Sequence, residues 1–403
     1  MAPYESDDAV GAARDEHPRS GRRKAARYAV PVAVVGVAAA TIGLVPALAD
    51  SGDPDLPRIS AQQLIEKIAK SDVQQLSGTV KVSTDLGLPD LGGLQNGLMS
   101  GSGRGGSGDG SSADPKAKLT ELVSGTHTLR VAADGPDRQK LSLLESGAEY
   151  SLIHDGKDVW GYDSKSNEVY HATGAASGKD RGTEPPATPK DFADQALKSV
   201  DDTTSVTVDG TAHVAGRDAY KLLIRPRQSG TTVGAISIAV DAKTGMPLKF
   251  TLTPRSGGAA VLDAGFTQVS FARPAASTFD FTPPKGAKVT EGKDAGGARE
   301  HAPEHGEGFA GGLEGKDGLK VLGKGWTSVA TFDTGAKGGV PTGSQGGELG
   351  GFLGSLGDPV SGKFGKGTVF STRLVNALIT DDGKVYAGTV TKEALVKAAD
   401  AGK

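Results

Sequence analysis

The order of apolar and polar residues along the chain predicts mostly β structure with a few short helices. Apolar residues recur at helical spacing over 60–71, where Ser60 begins a capping-box pattern, and over 189–199, where Thr188 is the expected N-cap. In most of the remaining segments apolar and polar residues alternate. Because successive side chains of a strand point to opposite faces, this pattern predicts strands with one buried and one hydrated side.

About a dozen short runs show the alternation, each bounded by Gly, Asp, Asn or Pro, and Asp155-Gly156 between two of them is a strong hairpin signal. The runs are 76–84, 122–133, 137–146, 148–154, 157–163, 167–172, 203–209, 211–215, 217–225, 233–241, 246–253, 261–271 and 278–281. Two short helices can cover the apolar side of so many strands only if the sheet curls over them. We therefore predict an α+β fold, a curved and unclosed antiparallel sheet (a half-barrel) of about 11 strands plugged by short helices.

The inner side of such a sheet has two possible uses. It can enclose a cavity for foreign hydrocarbon, or it can be filled by the helices of the protein itself. Alternation alone selects six candidate cavity residues, and a change of register by one residue would reverse any of them. The candidates are Trp160, Tyr220, Leu222, Ile236, Ile238 and Phe250.

Several hairpin motifs resemble those of LolA-type lipoprotein carriers and of the related MucB/RseB regulators. The motifs are SLIHDGKDVWGYD at 151–163, NEVY at 167–170, VAGRDAYKL at 214–222 and IAVDAKTGMPL at 238–248. By element order the resemblance covers 58–284. It implies an unclosed β-barrel plugged by helices that binds lipid acyl chains or lipoproteins, with no catalytic residue to carry over. In the last motif, we expect Asp241 to hydrogen-bond the turn backbone and Gly245 to supply a positive φ.

Three further regions differ in composition from the predicted half-barrel at 58–284. Residues 86–118 form a Gly/Ser-rich insertion with several leucines, which fits either an apolar flap over the cavity or a loop that tolerates leucines. Residues 285–318 have the composition of a linker. Residues 319–403 contain further strand-like runs and a short helix after Thr391, which predicts a small C-terminal α+β module.

The N-terminus predicts export from the cytoplasm. Basic residues within 1–27 precede the uncharged run 28–49, which is long enough to cross ~30 Å of hydrocarbon as a helix. The run ends in Ala47-Leu48-Ala49, a signal-peptidase pattern, so it is either a removed signal peptide or a retained transmembrane anchor. In both cases the basic N-terminus stays in the cytoplasm and the remainder of the chain is extracytoplasmic.

Charge and residue content exclude several classes of function. With 45 Lys and Arg against 48 Asp and Glu, the formal charge is −3, which provides no basic surface for nucleic acid. The chain has no cysteine, so disulfides, thiolate metal sites and cysteine nucleophiles are excluded. The phosphate-loop-like spacing at 318–324 is followed by Gly325, where a Mg²⁺-binding Ser or Thr belongs. His301 and His305 lie in the predicted linker, where no helix or strand would hold them for a metal.

These observations lead to a functional hypothesis. We expect a non-catalytic carrier or sensor of the LolA/RseB type without metal or cofactor, whose partner is a lipid acyl chain or a lipoprotein. The alternative is an envelope-stress regulator that binds an anti-sigma factor, a membrane-bound regulatory protein.

Overall fold

The structure is a computed structural model that describes residues 53–87, 111–115, 118, 122, 124–173, 188–292, 320–333 and 357–402. The predicted signal or anchor at 28–49, the leucine-rich part of the insertion and both linker histidines lie outside the described residues. Within the described ranges, no helix is both long and apolar enough to cross a membrane. Residues 53–403 form one compact unit.

The described residues form two sheets, and the larger one has twelve strands. They are β1 Gln75–Thr84, β2 Gly125–Asp134, β3 Arg138–Glu145, β4 Ala148–Asp155, β5 Asp158–Asp163, β6 Glu168–Thr173, β7 Thr204–Val214, β8 Arg217–Pro226, β9 Val233–Asp241, β10 Pro247–Pro254, β11 Leu262–Ser270 and β12 Lys288–Glu291. Their spatial order is β12-β6-β5-β4-β3-β2-β1-β11-β10-β9-β8-β7. The eleven strands β1–β11 pair antiparallel, as the alternation predicted, and β12 adds in parallel to β6.

The large sheet is strongly curved. Cα atoms of β7 approach those of β11 within 8 Å, although three strands lie between them in the sheet. A bulge between Val208 and Thr211 interrupts the pairing of β7 with β8, and another follows Thr79 in β1. Bulges increase the local bend and twist of a sheet. The result is the predicted half-barrel, which is unclosed because β12 and β7 are its two edges.

In the described part of the chain, two short helices lie on one face of this sheet, which we call the inner face. They are α1, Ala61–Ala69, and α2, Pro189–Lys198. Ser60 and Thr188 cap them, as the sequence predicted, and the capping box predicted at Ser60 is also present at Thr188. Both helices pack their apolar sides against the strands.

The smaller sheet forms a C-terminal module. Its strands are β13 Lys320–Leu322, β14 Val329–Asp333, β15 Gly357–Gly362, β16 Gly365–Ser371, β17 Asn376–Thr380 and β18 Lys384–Gly388, in the order β13-β14-β18-β17-β16-β15. The helix α3, Lys392–Ala401, is capped by Thr391 and packs Leu395 and Ala399 into the core of the module. The predicted small α+β module is therefore present.

Backbone pairing attaches the module to the half-barrel. Thr231 forms an antiparallel bridge with Val390. On either side of this bridge, Thr232 N donates to Thr389 O at 3.0 Å and Thr391 N donates to Gly230 O at 2.8 Å. Because these hydrogen bonds flank the bridge, Thr231 and Val390 are a non-hydrogen-bonded pair whose side chains are close together.

Two segments differ from the sequence-based expectation. The run 278–281 was predicted as a strand, but Ala276–Thr278 form a 3₁₀ turn that leads into the buried ring of Phe279. Lys288–Glu291 fall within the range predicted as a linker and form β12. Four residues are too few for a recognisable alternation, and the ion pairs that hold β12 are made with residues 120 positions away.

Candidate functional site: the inner face and its covers

The inner face is a continuous apolar wall. Val80 of β1 lies opposite Leu129 of β2 on one side and Phe266 of β11 on the other. Farther along, Phe250 of β10 lies opposite Ile238 of β9. All five side chains are at most 4% exposed. Such a wall can bury hydrocarbon.

Five of the six predicted cavity residues lie together on this wall, beneath the helices. Tyr220 pairs with Val240, next to the pairs of Leu222 with Ile238 and of Ile224 with Ile236. The five residues Tyr220, Leu222, Ile236, Ile238 and Phe250 are between 0% and 8% exposed and form one cluster with the apolar sides of α1 and α2. The helices of the protein therefore fill the space in front of these residues.

The contacts of α1 and α2 with this cluster are of two kinds. Phe192 of α2 stacks on Phe250 with ring centroids 5.4 Å apart, whereas Ala193 and Ala196 contribute only small buried side chains. The hydroxyl of Tyr220 donates to Pro57 O at 2.9 Å, just before α1. Apolar packing thus dominates the contact between the helices and the wall.

Trp160, the sixth candidate, lies on the opposite face of the sheet. Within β5, Gly161 pairs with Leu152 and Tyr170, which pack against the core on the inner face. Gly161 therefore faces the inner side, and the neighbouring Trp160 faces the outer side. The indole stacks on His171 at 3.8 Å and contacts Phe281 at 5.5 Å. Alternation shows which residues share a face but not which face is the inner one, so the sequence could not separate Trp160 from the other five. Ligand binding by any of the six residues stays a prediction.

A second cover lies over the inner face of β4–β6. It consists of the described end of the Gly/Ser-rich insertion, residues 111–115 and 118, which we call the insertion end. Tyr150 Oη donates to Ala113 O at 3.1 Å, and Ala113 is fully buried. Gly161 makes this approach possible, since a Cβ at that position would lie 2.4 Å from Ala113 O. Burial has the largest effect on the pKa of Tyr150 and raises it, and the nearby negative charges of Asp114 and Asp163 raise it further.

Polar contacts of Ser111, Ser112 and Lys118 hold the insertion end on the sheet. The carboxylate of Glu168 accepts from Ser112 N at 2.8 Å, from Ser112 Oγ at 3.0 Å and from Ser111 Oγ at 3.1 Å. These hydrogen bonds and the contact with Lys288 lower the pKa of Glu168 to about 2, and the bond from the Ser112 backbone has the largest effect. Lys118 Nζ lies 2.9 Å from Glu145 and 3.6 Å from Asp163. The described end of the insertion is therefore docked on the sheet, and the choice between flap and loop for the rest falls outside the described residues.

The turn between β9 and β10 packs against α1. Asp241 Oδ1 accepts from Lys243 N at 3.0 Å and from Thr244 N at 2.6 Å, as expected from the sequence. Gly245 has the expected positive φ of 76°. A Cβ on Gly245 would lie 2.3 Å from Lys67 O in α1, so a glycine is needed here for close approach as well as for backbone conformation. The turn therefore helps to position α1.

Among the residues that the structure describes, no group of three or more His, Asp or Glu side chains is arranged to hold a metal ion.

Comparison with known proteins finds similarity at the level of structure only. No protein-family model matches the chain, and no curated protein matches it. Among solved structures, the MucA/MucB complex of Pseudomonas aeruginosa matches with 16% identity over 84% of this chain and 96% of that chain, at a TM-score of 0.40. A LolA superfamily protein from Nitrosomonas europaea matches with 11% identity over 56% of this chain and 99% of that chain, at a TM-score of 0.23.

A third match is a putative outer membrane lipoprotein-sorting protein domain from Vibrio parahaemolyticus, with 11% identity over 52% of this chain and 91% of that chain, at a TM-score of 0.20. The matches thus include both groups that the hairpin motifs resemble. Identities and TM-scores this low do not show what the chain binds, and its function has to be inferred from its own contacts.

Proposed function

We propose that this chain is a non-catalytic extracytoplasmic binding protein that holds a lipid acyl chain or a lipoprotein segment against the inner face. The observation that supports it is the way the apolar wall is covered. Two helices of 9 and 10 residues and the short insertion end lie over the wall, where a sandwich would have a second sheet. A cover built from short elements can move without breaking the ladder of the sheet.

The energetics of exchange favour hydrocarbon as the ligand. Burial of an acyl chain contributes about 0.8 kcal/mol per methylene, which is the same physical term that holds Phe192, Ala193 and Ala196 of α2 on the wall. Roughly a dozen buried methylenes would therefore supply a gross gain of about 10 kcal/mol, from which the cost of displacing α2 is subtracted. The small buried side chains of α2 keep that cost low.

The test uses residues 50–403 purified without detergent. Native mass spectrometry should show co-purifying lipid, and after delipidation the fluorescent fatty acid cis-parinaric acid should bind saturably. Phe192→Ala should bind the probe several-fold more tightly, because the ring that rests on Phe250 is removed from the cover. Trp160→Ala is the matched control, since it removes an aromatic ring on the outer face and should leave binding unchanged.

A second candidate function is an envelope-stress regulator that binds an anti-sigma factor. The observation that favours it is that α1 and α2 already bury Leu222, Ile238 and their neighbours, which leaves the wall filled. This function predicts a lipid-free preparation in which neither the wild type nor Phe192→Ala binds the fatty acid. That result would contradict the carrier proposal.

A further inference from the structure

The strand β12 differs from every other strand of the large sheet. It has four residues, pairs in parallel and forms one edge of the sheet. Lys288, Val289 and Glu291 are exposed, and the Val289 side chain is 44% exposed. Parallel pairing is slightly less stable per residue than antiparallel pairing, and a strand without buried apolar side chains gains little from packing. Backbone hydrogen bonds and charges therefore hold β12 in place.

Two side chains of β6 pair with oppositely charged side chains of β12. Lys288 Nζ lies 3.3 Å from Glu168 on the inner side, and Glu291 lies 2.8 Å from His171 Nδ1 on the outer side. Asp158 is 3.0 Å from His171 Nε2. Burial alone would lower the pKa of His171, but the hydrogen bonds with Asp158 and Glu291 outweigh it and raise the pKa. An anion and a basic imidazole thus stand three residues apart on β6, facing opposite sides.

The backbone of β6 provides the remaining contacts. Lys288 N donates to Asn167 O at 3.1 Å, and Gly292 N donates to His171 O at 2.6 Å. These bonds use only main-chain atoms of the added strand. An extended segment can make the same contacts if it brings a cation opposite Glu168, an anion three residues later opposite His171, and a glycine directly after the anion, because a Cβ at the position of Gly292 would collide with the Tyr170 side chain.

We infer that the β6 edge is a binding site for an extended segment of a partner protein, which β12 occupies in cis. The segment adds as a parallel strand and carries Lys or Arg at one position, Asp or Glu three positions later, and Gly directly after the acidic residue. Sheet edges are the usual place for such strand addition. The site is the edge of β6 and not the apolar wall, and it shares one residue with the covers of the inner face, Glu168, which also accepts from Ser111 and Ser112.

Two proline variants of residues 50–403 provide the test. Thr290 lies between the two donors Lys288 and Gly292, so in a parallel ladder its N–H also points to β6, whereas the N–H of Val289 points away. Thr290→Pro should release β12 and free the edge. Val289→Pro places the same residue in the same strand without removing a bond to β6, and is the matched control.

The probe is a fluorescein-labelled peptide with the sequence of residues 285–293, KGAKVTEGK. In fluorescence anisotropy it should bind Thr290→Pro at least tenfold more tightly than the wild type or Val289→Pro. The charge-reversed peptide KGAEVTKGK should bind at least tenfold more weakly. A second peptide, SGARISDGS, keeps only the cation and the anion that face Glu168 and His171 and the glycine that follows, and it should bind like the first peptide, because the site recognises the charge spacing, this glycine and the backbone.

Three results would overturn the inference. They are equal peptide binding by both proline variants, equal binding of the native and the charge-reversed peptide, and a dimer of Thr290→Pro that forms without peptide and assigns the edge to a second copy of the chain. Should Thr290→Pro fail to fold, as judged by circular dichroism, Lys288→Glu combined with Glu291→Lys repels β12 while leaving its backbone intact. The native peptide should then bind that double variant, and no binding would refute the site.

Discussion

Replacement of Asp241 by alanine is a direct test of how the β9–β10 turn supports the half-barrel. The carboxylate is 1% exposed and accepts hydrogen bonds from Arg217, Lys243 N, Thr244 N and Thr244 Oγ1. Asp241→Ala leaves the guanidinium and two turn N–H groups without this partner. Breaking a buried ion pair costs about 3–5 kcal/mol. Because the Arg217 side chain is 26% exposed, we expect the lower end, about 3 kcal/mol.

The assay is urea unfolding at pH 7, followed by tryptophan fluorescence, with the wild type and Asp241→Ala measured side by side. Asp263→Ala is the control, because its carboxylate pairs with Lys249 at 3.0 Å but is 36% exposed. Exposed pairs of this kind contribute less than about 1 kcal/mol. If Asp241→Ala loses no more stability than Asp263→Ala, the carboxylate does not hold the turn and the reasoning is wrong.

The same carboxylate makes a prediction about pH. Burial alone would raise the pKa of Asp241, but the hydrogen bonds from Arg217 and Thr244 outweigh it, and the pKa lies below its ordinary value of 3.8. A group whose pKa is lower in the folded state stabilises the fold above the unfolded pKa and loses that contribution as the pH falls through the folded pKa. The stability difference between wild type and Asp241→Ala should stay constant from pH 7 to about pH 5 and shrink below 3.8.

Three further predictions concern the wall, its cover and the module. Leu222→Ala removes a fully buried side chain and should cost about 2–5 kcal/mol in urea unfolding. Gly161→Ala places a methyl group 2.4 Å from Ala113 O, so hydrogen exchange should show faster exchange over 111–115 with β5 unchanged; equal protection would contradict the close approach. Thr231→Cys with Val390→Cys should form a disulfide on mild oxidation, seen by intact mass, because this antiparallel pair has the required short separation; no cross-link would show that the module is not docked there.

Local interactions explain why much of the fold could be predicted. The capping boxes at Ser60 and Thr188 join residues three apart, and the Asp241 turn joins residues two and three apart. Alternation within single strands also identified Leu222, Ile238 and their neighbours as one buried face. Each of these features depends on a few consecutive residues, so the sequence by itself determines the short helices, the strands, their turns and the need for a curved sheet.

Only the tertiary structure decided which face is the inner one and what covers it. The register of β5 with its neighbouring strands places Trp160 on the outer face. Glu168 accepts a hydrogen bond from Ser112, which lies 56 residues away in the chain. Lys288 of the edge strand β12 reaches the same carboxylate from 120 residues away. These contacts depend on chain segments that meet only after folding, and no local pattern in the sequence records which distant residues will meet.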